Sequence, residues 1–139
     1  MKRTVNAVWK GDGMDGEGVF SSQSGAFSNI PYSFKTRFKN DDGKLGTNPE
    51  ELIAAALVGC FNMKLSFVLN EAKFNPDVLD TEAILSFEDG KIISIDLGLK
   101  GKVPKISKEK FIELADDAKN NCPISGALNC PVSVNADLV

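Results

Sequence analysis

The chain of 139 residues contains no histidine and only three cysteines. Without histidine there are no Ser-His or Cys-His catalytic pairs and no metal site that depends on an imidazole ligand. Three scattered cysteines are also too few for a structural zinc site built from four thiolates. No glycine-rich phosphate-binding loop of a nucleotide- or dinucleotide-binding protein is present either. We therefore expect neither a metal nor a cofactor, and nucleophilic chemistry in this chain falls to its thiols.

Charge and apolar patterning narrow the class of protein further. The net charge of −3 and the pI near 5.0 argue against non-specific binding of nucleic acid. Asn62 and Lys64 interrupt the longest apolar run, which predicts no membrane span, and the N-terminus lacks the apolar segment of a signal peptide. We expect a cytoplasmic protein with no nucleic-acid or membrane partner. In that compartment the cysteines remain free thiols or form transient disulfides.

The length predicts one domain, residues 1–139, with a core large enough to fold without disulfides. Segments rich in β-forming residues predict strands at 4–10, 18–22 and 31–38. In the third segment aromatic residues and Thr36 alternate with polar residues, which places Arg37 on the face opposite Phe34 and Phe38.

A helix is predicted to begin after Asn48, which is a good N-cap. Pro49 suits the first helical position, and Glu51 stands where it completes a capping box. Residues 52–61 are apolar on nearly every side of such a helix, which predicts burial all round. The helix should run to about residue 73, ahead of Pro76.

The rest of the chain predicts alternating strands and helices. These are strands at 81–88, 92–99 and 131–138 and helices at 108–120 and 123–129. Asp89-Gly90 is a strong hairpin signal, Ser107 caps the first of the two helices, and Cys122 stands at the N-cap of the second. The order of elements predicts an α+β fold with mostly antiparallel strands.

Cys60 and Cys122 are the candidate nucleophiles. A lone buried cysteine is usually a small hydrophobe, and that interpretation stays open for both. Two features favour chemistry: Gly59 and the alanines at 54–56 keep the helix thin around Cys60, and a helix N-terminus favours a thiolate at Cys122. Cys130, directly before a strand, is interpreted as structural.

Arg37 and Glu50 are candidates for adjusting the pKa of a thiolate, although the residues alone favour a solvated strand arginine and a helix-dipole carboxylate. Glu50 and Cys60 stand ten residues apart on one helix, hence about 15 Å apart along its axis. They cannot meet within one chain if that helix is continuous. Two copies packed antiparallel about a two-fold axis would bring Glu50 of one towards Cys60 of the other, so we hypothesise a homodimer with a shared active site.

Four stretches carry a resemblance to a known family: residues 24–25, 31–38, 46–61 and 122–125. On these residues the chain resembles the OsmC/Ohr family of thiol-dependent hydroperoxide reductases, and its OsmC-like branch more than its Ohr branch. The match is ordered along nearly the whole chain. It implies an OsmC-like fold in which a mostly antiparallel sheet wraps around central buried helices, in an intertwined homodimer with active sites at the subunit interface.

The resemblance also implies roles for single residues. Cys60 matches the peroxidatic cysteine and Cys122 the resolving cysteine, in preference to Cys130. Arg37 matches the arginine that activates the reactive thiol, and Glu50 the carboxylate that orients that arginine. The implied reaction reduces an organic hydroperoxide, or hydrogen peroxide, to alcohol or water through a Cys60 sulfenic acid and a Cys60–Cys122 disulfide. A dithiol, in the Ohr branch a lipoylated protein, then restores the thiols in defence against peroxide stress.

Two other functions stay open on sequence alone. One is a thiol–disulfide oxidoreductase that does not use peroxide. The other is a protein without enzymatic activity that binds a small apolar ligand and uses its cysteines for packing. Phe34, Phe38, Phe61 and Met63 are candidates either for lining a ligand pocket or for ordinary core positions.

Overall fold

The computed structural model describes all 139 residues, which fall into two compact units, 1–52 and 53–139. The elements in chain order are β1 (Val5–Lys10), β2 (Glu17–Ser22), β3 (Ile30–Ser33), α1 (Phe34–Phe38), α2 (Pro49–Glu71), β4 (Val78–Glu88), β5 (Lys91–Lys102), α3 (Lys108–Asn120), α4 (Pro123–Ala127) and β6 (Val132–Leu138). The predicted α+β class is therefore confirmed.

The first unit is built on a three-stranded antiparallel meander in the order β1-β2-β3. Gly18 in β2 is required by close packing, because a Cβ there would lie 2.6 Å from Cε1 of Tyr32 on the neighbouring strand. The Tyr32 ring also stacks on Phe20, with 3.9 Å between ring centroids. Tyr32 is thus held in one position on this sheet.

The prediction of a strand over residues 31–38 is wrong in its second half, where the chain forms the short helix α1. A reciprocal capping box explains the change. The Thr36 backbone N–H donates to Ser33 Oγ at 3.1 Å, and the Ser33 N–H donates to Thr36 Oγ1 at 2.9 Å. These local bonds favour a helix start over a strand, and they place Arg37 on a helix instead of a strand face.

Helix α2 begins as the sequence predicts and runs without a break for 23 residues. The Asn48 carboxamide oxygen accepts from the Glu51 N–H at 2.8 Å, which satisfies one of the unpaired donors of the first turn. The prediction of all-round burial is wrong for a single chain. Within residues 52–61, Leu57 and Phe61 are fully buried, whereas Ala55 and Ala56 are exposed. Farther along the helix, Met63 and Phe67 are 65% and 61% exposed.

Helix α2 is also long enough and apolar enough to cross a membrane, so the sequence argument that nothing reaches that length is wrong. Lys64 is a single charge, and it does not bring the mean hydropathy of the segment below that of a membrane-spanning helix. One such helix is a weak indication of a span, since core helices of soluble proteins have the same length and composition. Its buried face packs into the apolar core of the second unit, as a core helix does.

The second unit has a sheet in the order β4-β5-β6, antiparallel between β4 and β5 and parallel between β5 and β6. Asp89 and Gly90 both have positive φ, as the predicted tight hairpin requires. Helix α3 has the predicted bounds, and Ser107 Oγ accepts from the Lys110 N–H at 3.2 Å. The mostly antiparallel prediction is confirmed, with β6 as the parallel exception.

Candidate active site

The structure brings together the two thiols that stand 62 residues apart, with 3.0 Å between Cys60 Sγ and Cys122 Sγ. Both are free cysteines. Cys122 is 2% exposed, and Cys60 is half-buried. A disulfide bond has a length of about 2.05 Å, so the two sulfurs need little movement to bond. The pair has the geometry of a thiol couple that can be oxidised and reduced within one chain.

The interior of one helix and the boundary between two others position the sulfurs. Cys60 lies in the middle of α2, beside Gly59, where an added Cβ would meet no other atom. Cys122 lies between α3 and α4, and its carbonyl oxygen accepts from the Gly126 N–H at 3.0 Å. Pro123 follows it at the start of α4, as predicted, because the proline lacks the N–H that this position leaves unpaired.

Burial raises the pKa of the Cys122 thiol, and its hydrogen bond with Cys60 raises that pKa further. The backbone N–H groups of Ser125 and Ile124 act in the opposite direction and do not prevail. The expectation that the helix N-terminus favours a thiolate at Cys122 is therefore wrong in its net effect, because α4 is only five residues long and the sulfur is buried. Cys122 is a neutral thiol near pH 7.

A polar bridge lies next to this pair on α2. The Asn62 carboxamide oxygen accepts from the Thr81 hydroxyl at 2.5 Å, and its amide donates to the Leu79 carbonyl oxygen at 3.4 Å. The bridge joins α2 to the edge strand β4 two residues after Cys60. The sequence reveals Asn62 only as an interruption of the apolar run, because its partners lie 17 and 19 residues away.

In the first unit the structure pairs Arg37 with Glu50. The Arg37 Nε–H lies 3.1 Å from both carboxylate oxygens of Glu50, and Nη2 donates to Oε1. The Glu50 side chain is 15% exposed and that of Arg37 36%. A guanidinium held by both oxygens of a carboxylate has a fixed plane and direction.

Asn40 supports this pair and was missed by the sequence reasoning. Its amide donates to the Thr36 carbonyl oxygen at 3.1 Å, and its carboxamide oxygen accepts from the Leu45 N–H at 3.0 Å. These bonds tie the loop after α1 back onto the turn that carries Arg37. The sequence Asn-Asp-Asp-Gly at 40–43, which is typical of a turn, was the available signal, but turn chemistry alone does not show which backbone groups the asparagine meets.

The four candidate lining residues separate into two groups. Phe34 and Phe38 line a cavity of 140 Å³ together with Arg37. Phe61 is fully buried in the core of the second unit, and Met63 is exposed. No group of three or more cysteine, aspartate and glutamate side chains is arranged to hold a metal ion.

Comparison with known proteins gives a consistent result. The family model described as OsmC-like protein matches residues 39–137. The protein "Peroxiredoxin OsmC" of Escherichia coli K12 is 40% identical over 136 residues, which cover 95% of this chain and 93% of that protein. The solved organic hydroperoxide resistance protein OhrB of Bacillus subtilis is 27% identical, with a TM-score of 0.65 and 98% of each chain covered.

A further solved structure is similar in fold alone. The OsmC-like protein of Mycoplasma pneumoniae has a TM-score of 0.77 at 18% identity, covering 100% of this chain and 98% of its own.

Proposed function

Because the chain belongs to the OsmC-like protein family, we propose that it is a thiol-dependent peroxidase that reduces organic hydroperoxides to alcohols and hydrogen peroxide to water. The names of its relatives, a peroxiredoxin and a hydroperoxide resistance protein, support a peroxidase-like role in general. The observation that carries the finer proposal is the 3.0 Å separation of the Cys60 and Cys122 sulfurs.

The difference in burial between the two thiols supports one order of attack. Cys60, the more exposed sulfur, attacks the outer peroxide oxygen as a thiolate. The O–O bond breaks, the alcohol leaves with a proton, and Cys60 becomes a sulfenic acid. The buried Cys122 then attacks that sulfur, water leaves, and a disulfide forms. An external dithiol supplies two electrons and two protons and restores both thiols.

Arg37 stabilises negative charge in this reaction. A guanidinium beside a thiolate favours the ionised sulfur, and it also stabilises the charge that develops on the leaving oxygen. Glu50 acts through Arg37 and is a positioning residue, since its two oxygens hold the guanidinium.

We further propose that residues 1–139 work as one domain in a cytoplasmic homodimer with a shared active site. Helix α2 is continuous, so Glu50 and Cys60 are separated by ten residues, or about 15 Å, along one axis. A second copy packed antiparallel on α2 would close that separation. The exposed apolar residues Met63 and Phe67 on α2 support such a contact.

Intact-mass analysis tests the proposed reaction. One equivalent of cumene hydroperoxide should remove two hydrogens, mapped to a Cys60–Cys122 disulfide. Cys130→Ser should behave as the wild type does, and Cys122→Ser should gain oxygen on Cys60 instead. An unchanged mass in the wild-type protein would falsify the proposal.

Peroxide consumption with a dithiol reductant separates a peroxidase from a thiol–disulfide oxidoreductase, which would form the same disulfide. The peroxidase consumes one peroxide for each dithiol oxidised. An oxidoreductase of the other kind exchanges disulfides while the peroxide concentration stays constant.

A further inference from the structure

A cavity of 140 Å³ lies beside Arg37 within the first unit. Half of its lining residues are aromatic and one is a cation, and Gly13 and Ser33 complete the lining. The aromatic residues, the cation and the proline are Trp9, Tyr32, Phe34, Arg37, Phe38 and Pro49. The sequence places them in β1, β3, α1 and the first turn of α2, so the pocket forms only when these elements fold together.

The wall contributed by Trp9 is held in place by the turn after β1. The indole Nε1–H donates to the Asp12 carbonyl oxygen at 3.2 Å. Gly16 lets the indole approach the backbone, because a Cβ at that position would lie 2.9 Å from Trp9 Cε2. The ring centroid of Trp9 is 5.4 Å from that of Tyr32. A wall fixed in this way costs little ordering entropy when a ligand binds.

The opposite wall combines two rings with the guanidinium. Phe34 and Phe38 form a tilted pair with 4.9 Å between ring centroids. Arg37 Cζ lies 4.7 Å from the centroid of Phe38, so the cation rests on an aromatic face. The group proposed to act on the peroxide oxygens therefore borders an apolar pocket.

The size and lining of the pocket point to one kind of occupant. An apolar cavity of about 150 Å³ in another protein binds benzene, so 140 Å³ matches a single phenyl ring. Aromatic walls also favour an aromatic guest by about 0.5–1.5 kcal/mol for each ring pair, beyond simple area burial. Hydrogen peroxide has no group that would gain from this surface.

We propose that this pocket is the subsite for the aryl group of an aryl hydroperoxide, with Trp9 as a specificity-determining residue. The inference rests on the proposed peroxidase function, in which Arg37 faces the reacting oxygens. An aryl group seated against Trp9 and Tyr32 directs the hydroperoxide oxygens towards the Arg37 guanidinium.

Kinetics of a Trp9 variant test the role in specificity. Trp9→Ala should lower the ratio of kcat/KM for cumene hydroperoxide to kcat/KM for hydrogen peroxide by about tenfold, the upper end of one aromatic contact. Trp9→Phe, which keeps an aromatic wall, should retain most of that ratio. Phe27→Ala is the matched control, since Phe27 is a similarly exposed aromatic residue of the same unit outside the pocket.

A binding measurement tests the pocket without turnover. Trp9 is the only tryptophan of the chain, so intrinsic fluorescence reports on the pocket directly. In Cys60→Ser, titration with 2-phenyl-2-propanol, the product from cumene hydroperoxide, should change the emission with saturation. tert-Butanol, which lacks the ring, should bind more weakly.

The two measurements separate failure of the inference from failure of the proposed function. A wild-type protein that reduces both peroxides, with an unchanged ratio in Trp9→Ala, overturns the subsite and leaves the peroxidase intact, even if the alcohol binds. A wild-type protein that reduces neither peroxide overturns the function. Absence of a saturable fluorescence change in Cys60→Ser overturns the subsite in either case.

Discussion

At the scale of single residues, the two paired thiols differ in their surroundings. Cys60 is half-buried on a helix, whereas Cys122 is 2% exposed. Burial keeps the Cys122 thiol neutral near pH 7. Because only the thiolate is a nucleophile, Cys122 does not react directly with peroxide. Its proposed target is the sulfenic acid of Cys60, whose sulfur lies 3.0 Å from that of Cys122. This proximity compensates for the low fraction of Cys122 that is ionised.

The raised pKa of Cys122 leads to a pH prediction. A raised pKa means that the reactive thiolate is scarce at neutral pH and increases tenfold with each pH unit up to the midpoint. Alkylation of Cys122 by iodoacetamide in Cys60→Ser, followed by site-resolved mass spectrometry, should show a midpoint above that of a cysteine in an unfolded chain. Removing Cys60 leaves burial, the larger cause of the shift, in place.

The unfolded chain is the control for this measurement. In denaturant the same residue should titrate at about 8.5, as a free cysteine does. A midpoint in the folded variant at or below that of the unfolded chain would contradict burial as the dominant cause.

Glu50 gives a second prediction at this scale. Glu50→Gln keeps the size of the side chain and removes its charge, so the guanidinium of Arg37 loses its fixed direction. Peroxidase kcat/KM should fall by about 10- to 100-fold, because small misplacements of a reacting partner have that effect. The free energy of unfolding should change by less than about 1 kcal/mol, as for other partly exposed ion pairs.

Glu51→Gln is the matched control for Glu50→Gln. Glu51 is the neighbouring acid in the same first turn of α2, and its side chain is exposed. Equal losses of activity in the two variants would indicate a helix-dipole effect common to both, and the positioning role of Glu50 would be abandoned.

The candidate residues that the sequence indicates lie in continuous stretches, whereas those that it does not indicate are defined by contacts across the fold. Cys60, Cys122, Arg37 and Glu50 belong to continuous stretches with a family resemblance. Trp9 and the partners of Asn62 become visible only through contacts across the fold, and residue type alone gives no signal for them. Thr81 and Leu79 acquire their role from the packing of α2 against β4.

At the scale of elements, strong local signals were sufficient for several boundaries. Ser107 and Asn48 cap helices at the predicted positions, because each satisfies a backbone N–H that the first turn leaves unpaired. The strand predicted over 31–38 failed in its second half, although the residues of the two faces alternate from 32 to 38, because local side-chain bonds to the backbone outweighed that pattern. The side chains of Ser33 and Thr36 decided that case through their bonds to the backbone.

The contact of β5 with α3 provides a prediction about stability. Gly101 is buried, and an added Cβ there would overlap the ring of Phe111, which is fully buried in the core. Gly101→Ala should therefore lower the free energy of unfolding by about 1–3 kcal/mol, the usual cost of overpacking a core. Urea denaturation monitored by circular dichroism measures the difference.

Gly98→Ala on the same strand is the matched control. Gly98 is exposed, and a Cβ there would meet no other atom. This change should be neutral or stabilise by up to about 1 kcal/mol, because glycine costs extra entropy within a strand. Similar losses in both variants would show that a glycine backbone requirement of β5, and not the Phe111 contact, sets the cost.

At the scale of the whole molecule, the proposed site needs the Arg37–Glu50 pair close to Cys60, but Glu50 and Cys60 lie far apart along the same helix. Arg37 and Glu50 form one pair, and Glu50 stands ten residues before Cys60 on the unbroken α2. The exposed apolar side chains of α2, Met63 and Phe67, are of the kind that a subunit interface covers. A two-fold dimer explains both features, since it lets the arginine pair of each copy serve the thiols of the other.

Mixing two inactive variants tests this arrangement. In a dimer of one Cys60→Ser chain and one Arg37→Ala chain, one site lacks both groups, and the other combines an intact Cys60 with an intact Arg37 from the partner. When equal amounts of the two variants are unfolded and refolded together, half of the resulting dimers should have this mixed form. Peroxidase activity should recover to about one quarter of the wild-type value, because half of the dimers each have one of two sites intact. If Arg37 serves the Cys60 of its own chain, the mixed dimer has no intact site, and activity stays at the level of the separate variants.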